Sequence, residues 1–206
     1  MPRSQEGLAR LVERDGASPR VVAAFRAVDR ADFVPDASRR DVYSDRPIPI
    51  LEGQTTSQPS LIARMIDAAE IAPGDAVLEI GTGFGYQTAL LAALAREVVS
   101  IDRHESLVKA ARAHLARAGI ENATVIAGDG FAGYAAKAPF DAIVVSAGAP
   151  ELPDAFRAQL RDAGRLVIPL QSGRGDDVYV FTKRGDDLHR ERLLTPARFV
   201  PLVRDP

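Results

Sequence analysis

The chain is predicted to fold as an α/β protein with a seven-stranded, mostly parallel sheet, helices on both faces and an antiparallel C-terminal hairpin. Three observations predict it. Short apolar runs alternate with amphipathic, helix-compatible segments, the pattern of a parallel sheet covered on both sides. One such run, Ala76-Val77-Leu78-Glu79-Ile80, stops on Gly81, Gly83 and Gly85 and passes at once into helix-compatible Tyr86 to Ala95. Near the end, candidate strands at 177–184 and 189–200 flank Gly185-Asp186-Asp187, a hairpin-like turn.

The elements follow in order. Residues 1–30 read as two short helices; in the second, Val21, Val22, Phe25 and Val28 form one apolar stripe behind Ser18-Pro19, an N-cap and first turn. From Ala31 to Pro59 periodicity gives way to prolines, glycine and polar residues. Loops that long are usually functional or disordered. Phe33, Val34, Tyr43, Ile48, Ile50 and Leu51 point to an ordered loop pinned to the core. A helix is expected from about Pro59 to Ile71, with Ser57 well placed as its N-cap. Strands near 76–80, 97–102, 123–127 and 140–145 then alternate with helices near 86–95, 105–118 and 153–161, and Arg165 to Leu170 reads as a fifth strand.

Composition narrows the chemistry. At 206 residues, with 46% hydrophobic and 26% charged residues, the chain suits one domain with a sizeable core. Its 26 basic and 28 acidic residues leave a net charge of −2, which is no footprint for nucleic acid or anionic membranes. There are no cysteines, so disulfides, thiolate metal sites and cysteine nucleophiles are excluded. The three histidines, His104, His114 and His189, are widely spaced and read as surface or capping residues, so no metal is expected. The N-terminus lacks a signal-peptide core, and no apolar run approaches the roughly 20 residues of a membrane span. A cytoplasmic location is the expectation.

The glycine turn points to a nucleotide-type cofactor. A strand ending on glycines ahead of a helix brings backbone N–H groups and a positive helix end close to a ligand. The spacing G-x-G-x-G lacks the third glycine of G-x-G-x-x-G, and no lysine follows as a P-loop requires. Two further acidic strand ends accompany it: Asp102 after Val98-Val99-Ser100-Ile101, and Asp129 in Val125-Ile126-Ala127-Gly128-Asp129-Gly130. A carboxylate at the second strand's tip can accept both hydroxyls of a ribose. One such carboxylate could be a cap or a solvated turn; three in consecutive βα units are harder to explain that way.

The pattern E-x-G-x-G-x-G resembles motif I of the class I S-adenosylmethionine (AdoMet) methyltransferases, which implies their Rossmann-like fold. The long loop narrows the resemblance. Gly53-Gln54-Thr55-Thr56-Ser57-Gln58-Pro59 is similar to the G-Q-T-x-S-Q-P segment of the protein-L-isoaspartate (D-aspartate) O-methyltransferases. ADFVP near the start, GDG followed by APFDAIVVSAGAPELP, and RFVPLV near the end match in kind and order, from about residue 20 onward.

The resemblance implies AdoMet-dependent methylation of the α-carboxylate of L-isoaspartyl residues in damaged proteins, D-aspartyl β-carboxylates being the family's second acceptor. Ser57 would be the catalytic serine, holding the acceptor carboxylate by its hydroxyl rather than acting as a covalent nucleophile. Gln54, Thr55 and Thr56 would shape the substrate loop, and Val200, Pro201 and Leu202 the C-terminal substrate side. Arg198 to Val203 read equally well as an edge strand closing on a proline. Gly81, Thr82 and Gly83 would pack on the methionine part of AdoMet, with Glu79 in the same motif. Asp102 and Arg103 would lie at the ribose, Asp129 and Gly130 at the adenine. Phe84 stands where many relatives have serine, and Asp102 where glutamate is more frequent. Segments 1–58, 59–165 and 166–206 would supply substrate loop, AdoMet core and C-terminal strands of one monomeric domain.

The implied chemistry fits the residue supply. A carboxylate with a pKa of about 4 is already ionised at neutral pH, so no general base is needed. Rate would come from alignment and exclusion of water. Two other readings stay open: a relative devoted to one aspartate-containing natural-product peptide, and a non-catalytic AdoMet-binding module. The absence of an added C-terminal domain after RFVPLVRDP counts against the first, and the intact Ser57 loop against the second.

Overall fold

The structure, a computed structural model, describes residues 4–36, 40–173 and 175–204. Two capped helices begin the fold. In α1 (Gln5–Arg14) the Ser4 hydroxyl accepts from the Gly7 N–H, and in α2 (Pro19–Ala27) Ser18 caps with Pro19 in the first turn, as expected. Leu8, Val12, Val22 and Phe25 pack with Met65 and Ile66 of α3 (Pro59–Ala68) in one buried cluster. Each such side chain contributes about 1.5–3 kcal/mol by leaving water.

The sheet comprises β3 (Ala76–Ile80), β4 (Glu97–Asp102), β5 (Ala123–Ala127), β6 (Phe140–Val145), β7 (Leu160–Ser172), β8 (Gly175–Arg184) and β9 (Asp187–Ala197). Their spatial order is β5-β4-β3-β6-β7-β8-β9. The first five are parallel; β8 runs antiparallel to β7, and β9 antiparallel to β8. The two-residue period sends Val77, Val98 and Val144 into one buried cluster and Leu78, Val99 and Val145 into the other. Helices α4 (Tyr86–Ala92), α5 (Glu105–Arg117) and α6 (Asp154–Gln159) complete the alternation.

Some boundaries differ from the sequence reading. α3 stops at Ala68 rather than Ile71, because Glu70 takes a left-handed conformation (φ 49°). α4 stops at Ala92 rather than Ala95: the Asn122 amide donates to the carbonyls of Ala92 and Ala95, and Arg20 to that of Leu94. β9 ends at Ala197, not 200. Ser57 is not the N-cap of α3. That position is held by Gln58, whose side chain makes no capping bond, while Asp45 Oδ1 accepts from the Ser60 N–H at 2.8 Å across the loop.

The long loop is ordered where described and anchored as expected. It holds a tight turn at Arg30–Phe33 and a small hairpin of β1 (Ile48–Pro49) and β2 (Thr55–Thr56), bridged by a turn at Leu51–Gly53. Arg30 is its anchor. Fully buried, its guanidinium donates to the carbonyls of Val42 (3.1 Å), Ser44 (2.9 Å), Arg46 (3.0 Å) and Ser57 (3.2 Å). Four carbonyls, each needing a donor once out of water, thus converge on one cation. Burial lowers the Arg30 pKa, while Tyr86 and Asp45 oppose the shift.

Candidate active site

A cleft of about 290 Å³ opens at the carboxyl ends of β3, β4 and β6, next to Gly130 after β5. The chain order reverses between β3 and β6, and that crevice is where α/β sheets bind ligands. β3 contributes Ile80, Gly81 and Gly83; β4 contributes Ile101, Asp102, Arg103 and His104; β6 contributes Ser146 and Ala147. Gln54 and Thr55 of the loop and Val200 to Val203 close it from above.

The glycine turn leaves this cleft flat-floored. Gly81 (φ 94°) and Gly83 (φ 55°) occupy left-handed conformations that other residues rarely adopt. A Cβ on Gly130 would lie 2.6 Å from Ile80 Cγ2 and 3.0 Å from Leu202 Cδ1. The turn is tied to the second strand: Asp102 Oδ2 accepts from the Gly83 N–H at 2.9 Å, and Oδ1 from the His104 N–H at 3.0 Å. Burial pushes the Asp102 carboxyl up, and those N–H groups pull against it. Lone pairs remain on both oxygens at the cleft wall, as a vicinal diol requires.

Beneath the floor sits Glu79, with no exposed surface. It accepts from Gln87 Nε2 (3.0 Å), the Thr88 hydroxyl and the Ser100 hydroxyl (2.6 Å). Ser100 also meets Thr82 Oγ1 at 2.5 Å, and Gln87 donates to Ser146 Oγ at 2.7 Å. Burial pushes Glu79 up to about 7, against those hydrogen bonds. Glu79 and Thr82, both expected beside the cofactor, therefore do not line the cleft; they brace the residues that do. Asp129 likewise lies outside the lining, its Oδ1 accepting from the Phe131 N–H at 2.8 Å, whereas Gly130 lines it.

A second cleft, of about 260 Å³, adjoins the first. Pro47, Thr55, Ser57, Gln58, Ser60, Leu61 and Arg64 form one side, and Thr195 to Arg198 the other. Thr55 lines both clefts. Ser57 lines this cleft, and its hydroxyl has no hydrogen-bond partner among the described residues. Thr56 is buried and lines neither cleft. The strap before Thr55 rests on the glycine turn: a Cβ on Gly83 would meet Ile50 Cδ1 at 3.3 Å. Glu52 fastens it to α5 by accepting from the Ser106 hydroxyl at 2.5 Å.

A family model described as protein-L-isoaspartate(D-aspartate) O-methyltransferase matches residues 3–205. The chain belongs to this family. Its relatives include protein-L-isoaspartate O-methyltransferases of Koribacter versatilis, 47% identical over 94% of this chain and 86% of the relative, and of Methylorubrum extorquens, 46% identical over 99% and 91%. Among solved structures, a protein-L-isoaspartate O-methyltransferase matches with TM-score 0.86 and 29% identity over 96% of this chain; the chain spans 65% of that longer protein. A Plasmodium falciparum chain described by the same activity, in complex with S-adenosyl-L-homocysteine, matches with TM-score 0.85 and 25% identity, covering 99% and 100%.

The methyltransferase's C-terminal segment is not an edge strand of the large sheet. Beyond β9 it turns back, and Pro201 bridges to Gly148 through the bonds Gly148 N–H to Val200 O (2.8 Å) and Leu202 N–H to Gly148 O (2.9 Å). Asp176 Oδ2 pins its start by accepting from the Phe199 N–H at 2.8 Å. Ser146 and His104 are lining residues that sequence reasoning missed. Ser146 directly follows β6, so the strand-end rule that singled out Asp102 could have found it. His104, read as a surface or capping residue, holds the N-cap position of α5 without a side-chain capping bond and also borders the cleft. His114 stacks edge-on against Phe84 at 5.0 Å, and its Nδ1 meets the Phe84 carbonyl at 2.9 Å. His189 is exposed on β9. Among the described residues no cluster of three His, Asp or Glu could hold a metal ion, and no helix is long and apolar enough to cross a membrane.

Proposed function

We propose that the chain methylates the α-carboxylate of L-isoaspartyl residues, and the β-carboxylate of D-aspartyl residues, in damaged proteins and peptides. The product ester then closes spontaneously to a succinimide, which reopens in part to normal aspartate. One observation carries this reading. Thr55 walls both the strand-end cleft and the Ser57 cleft, so a ligand in each would meet at that residue.

AdoMet, when bound, supplies a methyl group on a positively charged sulfur. Gly81 and Gly83 offer its methionine part a surface without Cβ obstruction, and Thr82 between them ties that turn to the Ser100–Glu79 brace. Asp102 takes the ribose hydroxyls beside Arg103, and Gly130 borders the adenine, in a turn held by Asp129 accepting from the Phe131 N–H. Ser57 donates its hydroxyl to the acceptor carboxylate and holds one oxygen, leaving the other to react. Gln54, Thr55 and Thr56 hold the strap in place, and Val200, Pro201 and Leu202 exclude water from above. Exclusion of water matters because a sulfonium and a carboxylate both lose charge as they react; a dry site favours the less charged transition state. The setting we infer is a cytoplasmic monomer acting on isoaspartyl proteins, with no nucleic-acid or membrane partner and no metal.

Labelled AdoMet supplied with an isoaspartyl peptide and its aspartyl twin tests the reading. Label on the isoaspartyl peptide alone is the expected result. Label on neither, with AdoMet bound, would leave only a methyl-donor-binding module.

A further inference from the structure

The second cleft carries a charge that the proposed reaction does not use. Its lining includes two arginines, Arg64 and Arg198, and no carboxylate. The protein as a whole has more acidic than basic residues, 28 against 26, so this local excess is not a general basic surface. Both side chains are exposed, and neither guanidinium has a hydrogen-bond or ion-pair partner among the described residues. Arg10, Arg26, Arg96, Arg157, Arg184 and Arg204 are paired with carboxylates, and Arg14 and Arg192, which like Arg64 and Arg198 are not, lie outside this cleft. The cleft's two free cations stand on opposite walls. Arg64 is on α3, one turn beyond Ser60, and Arg198 follows β9 where the chain turns back toward Val200.

A guanidinium on the reacting carboxylate would work against the chemistry. That group must lose its charge, and a cation that stabilises the charge lowers the ground state more than the transition state. The neutral hydroxyl of Ser57 suits the acceptor better. We infer that Arg64 and Arg198 bind a second, non-reacting anion of the substrate, an acidic side chain flanking the isoaspartyl residue, so that the enzyme selects damaged sites in acidic sequence. This inference rests on the Ser57 cleft receiving the isoaspartyl peptide.

The test uses the full chain and isoaspartyl peptides differing at one flanking position, on either side, as Glu, Gln or Lys. The readout is the ratio of kcat/KM values within each form of the enzyme, so a general loss of activity cancels. For the wild type the Glu peptide should exceed the Gln peptide by about three- to tenfold at low salt from at least one side, with Lys below both. The advantage should shrink at about 0.5 M salt, where exposed charges are screened. In the double variant Arg64→Gln/Arg198→Gln it should fall to near one. A wild-type ratio at or below one on both sides, or a ratio that survives the double substitution, overturns the inference while methylation of the Gln peptide leaves the proposed function standing. Methylation of no isoaspartyl peptide removes both.

Discussion

The guanidinium of Arg30, with no exposed surface, holds the main-chain oxygen of Ser57 at 3.2 Å. The same cation gathers three more carbonyls from residues 42–46, so the position of Ser57 depends on a side chain 27 residues earlier. Arg30→Met should destabilise the protein by about 3–5 kcal/mol, the usual effect of stripping a buried charge from its partners. Arg30→Lys, which keeps the charge but not the planar fork, should fall between. Urea unfolding measures both. In the Lys variant KM for an isoaspartyl peptide should rise more than the Kd for S-adenosylhomocysteine; equal changes would mean that Arg30 does not act through the Ser57 loop.

Ser57 and Asp102 border different clefts, so their loss should separate. Ser57→Ala should lower turnover about 10–100-fold, the worth of a hydrogen bond to a charged group, with S-adenosylhomocysteine affinity near wild type. Asp102→Ala should weaken S-adenosylhomocysteine by at least about tenfold, since it removes the diol acceptor and frees the Gly83 N–H. Calorimetric titration of the two variants with the spent cofactor decides it. Loss of cofactor binding in Ser57→Ala would contradict the division of labour.

Glu79 should make stability depend on pH. Its carboxyl is pushed up to about 7 by burial, against an ordinary value of 4.5. Between those values the native state keeps a proton that the unfolded chain has released. The stabilisation is therefore full below the ordinary value and is lost as pH rises through about 7, a change of a few kcal/mol. Asp102, the like charge nearby, adds to the upward push. Unfolding curves between about pH 5 and 8 should show this decline in the wild type and a flatter profile in Glu79→Gln. Parallel profiles would place the titration elsewhere.

Gly130→Ala should impair cofactor binding without unfolding the protein. Its Cβ would press on Ile80 Cγ2 and Leu202 Cδ1, both side chains at the cleft. Kd for S-adenosylhomocysteine should rise several-fold, by overpacking of about 1–3 kcal/mol.

Much of this architecture was legible in the sequence because it is written locally. The two-residue period of β3 to β6, the glycines after Ile80 and the acids after β4 and β5 each declare themselves within a dozen residues. What escaped reading depends on contacts between distant segments. The seat of β8 beside β7 is set by side-by-side pairing, Val167 with Val180, and not by either strand's own pattern. Asp45 supplies the N–H acceptor for α3 that Ser57 was expected to provide, from 15 residues before Ser60. Glu79 looked like a ligand residue because it sits in the motif; strand alternation instead turns it away from the cleft, toward Gln87 and Thr88 of α4.

One consequence concerns the order in which the protein comes to work. The roof of the strand-end cleft is made by Val200 to Val203, stitched to Gly148. A nascent chain that has emerged only through β9 already owns every strand of the sheet yet lacks that roof. The cleft is therefore completed not by the sheet itself but by a segment that docks on Gly148 after the last strand has paired.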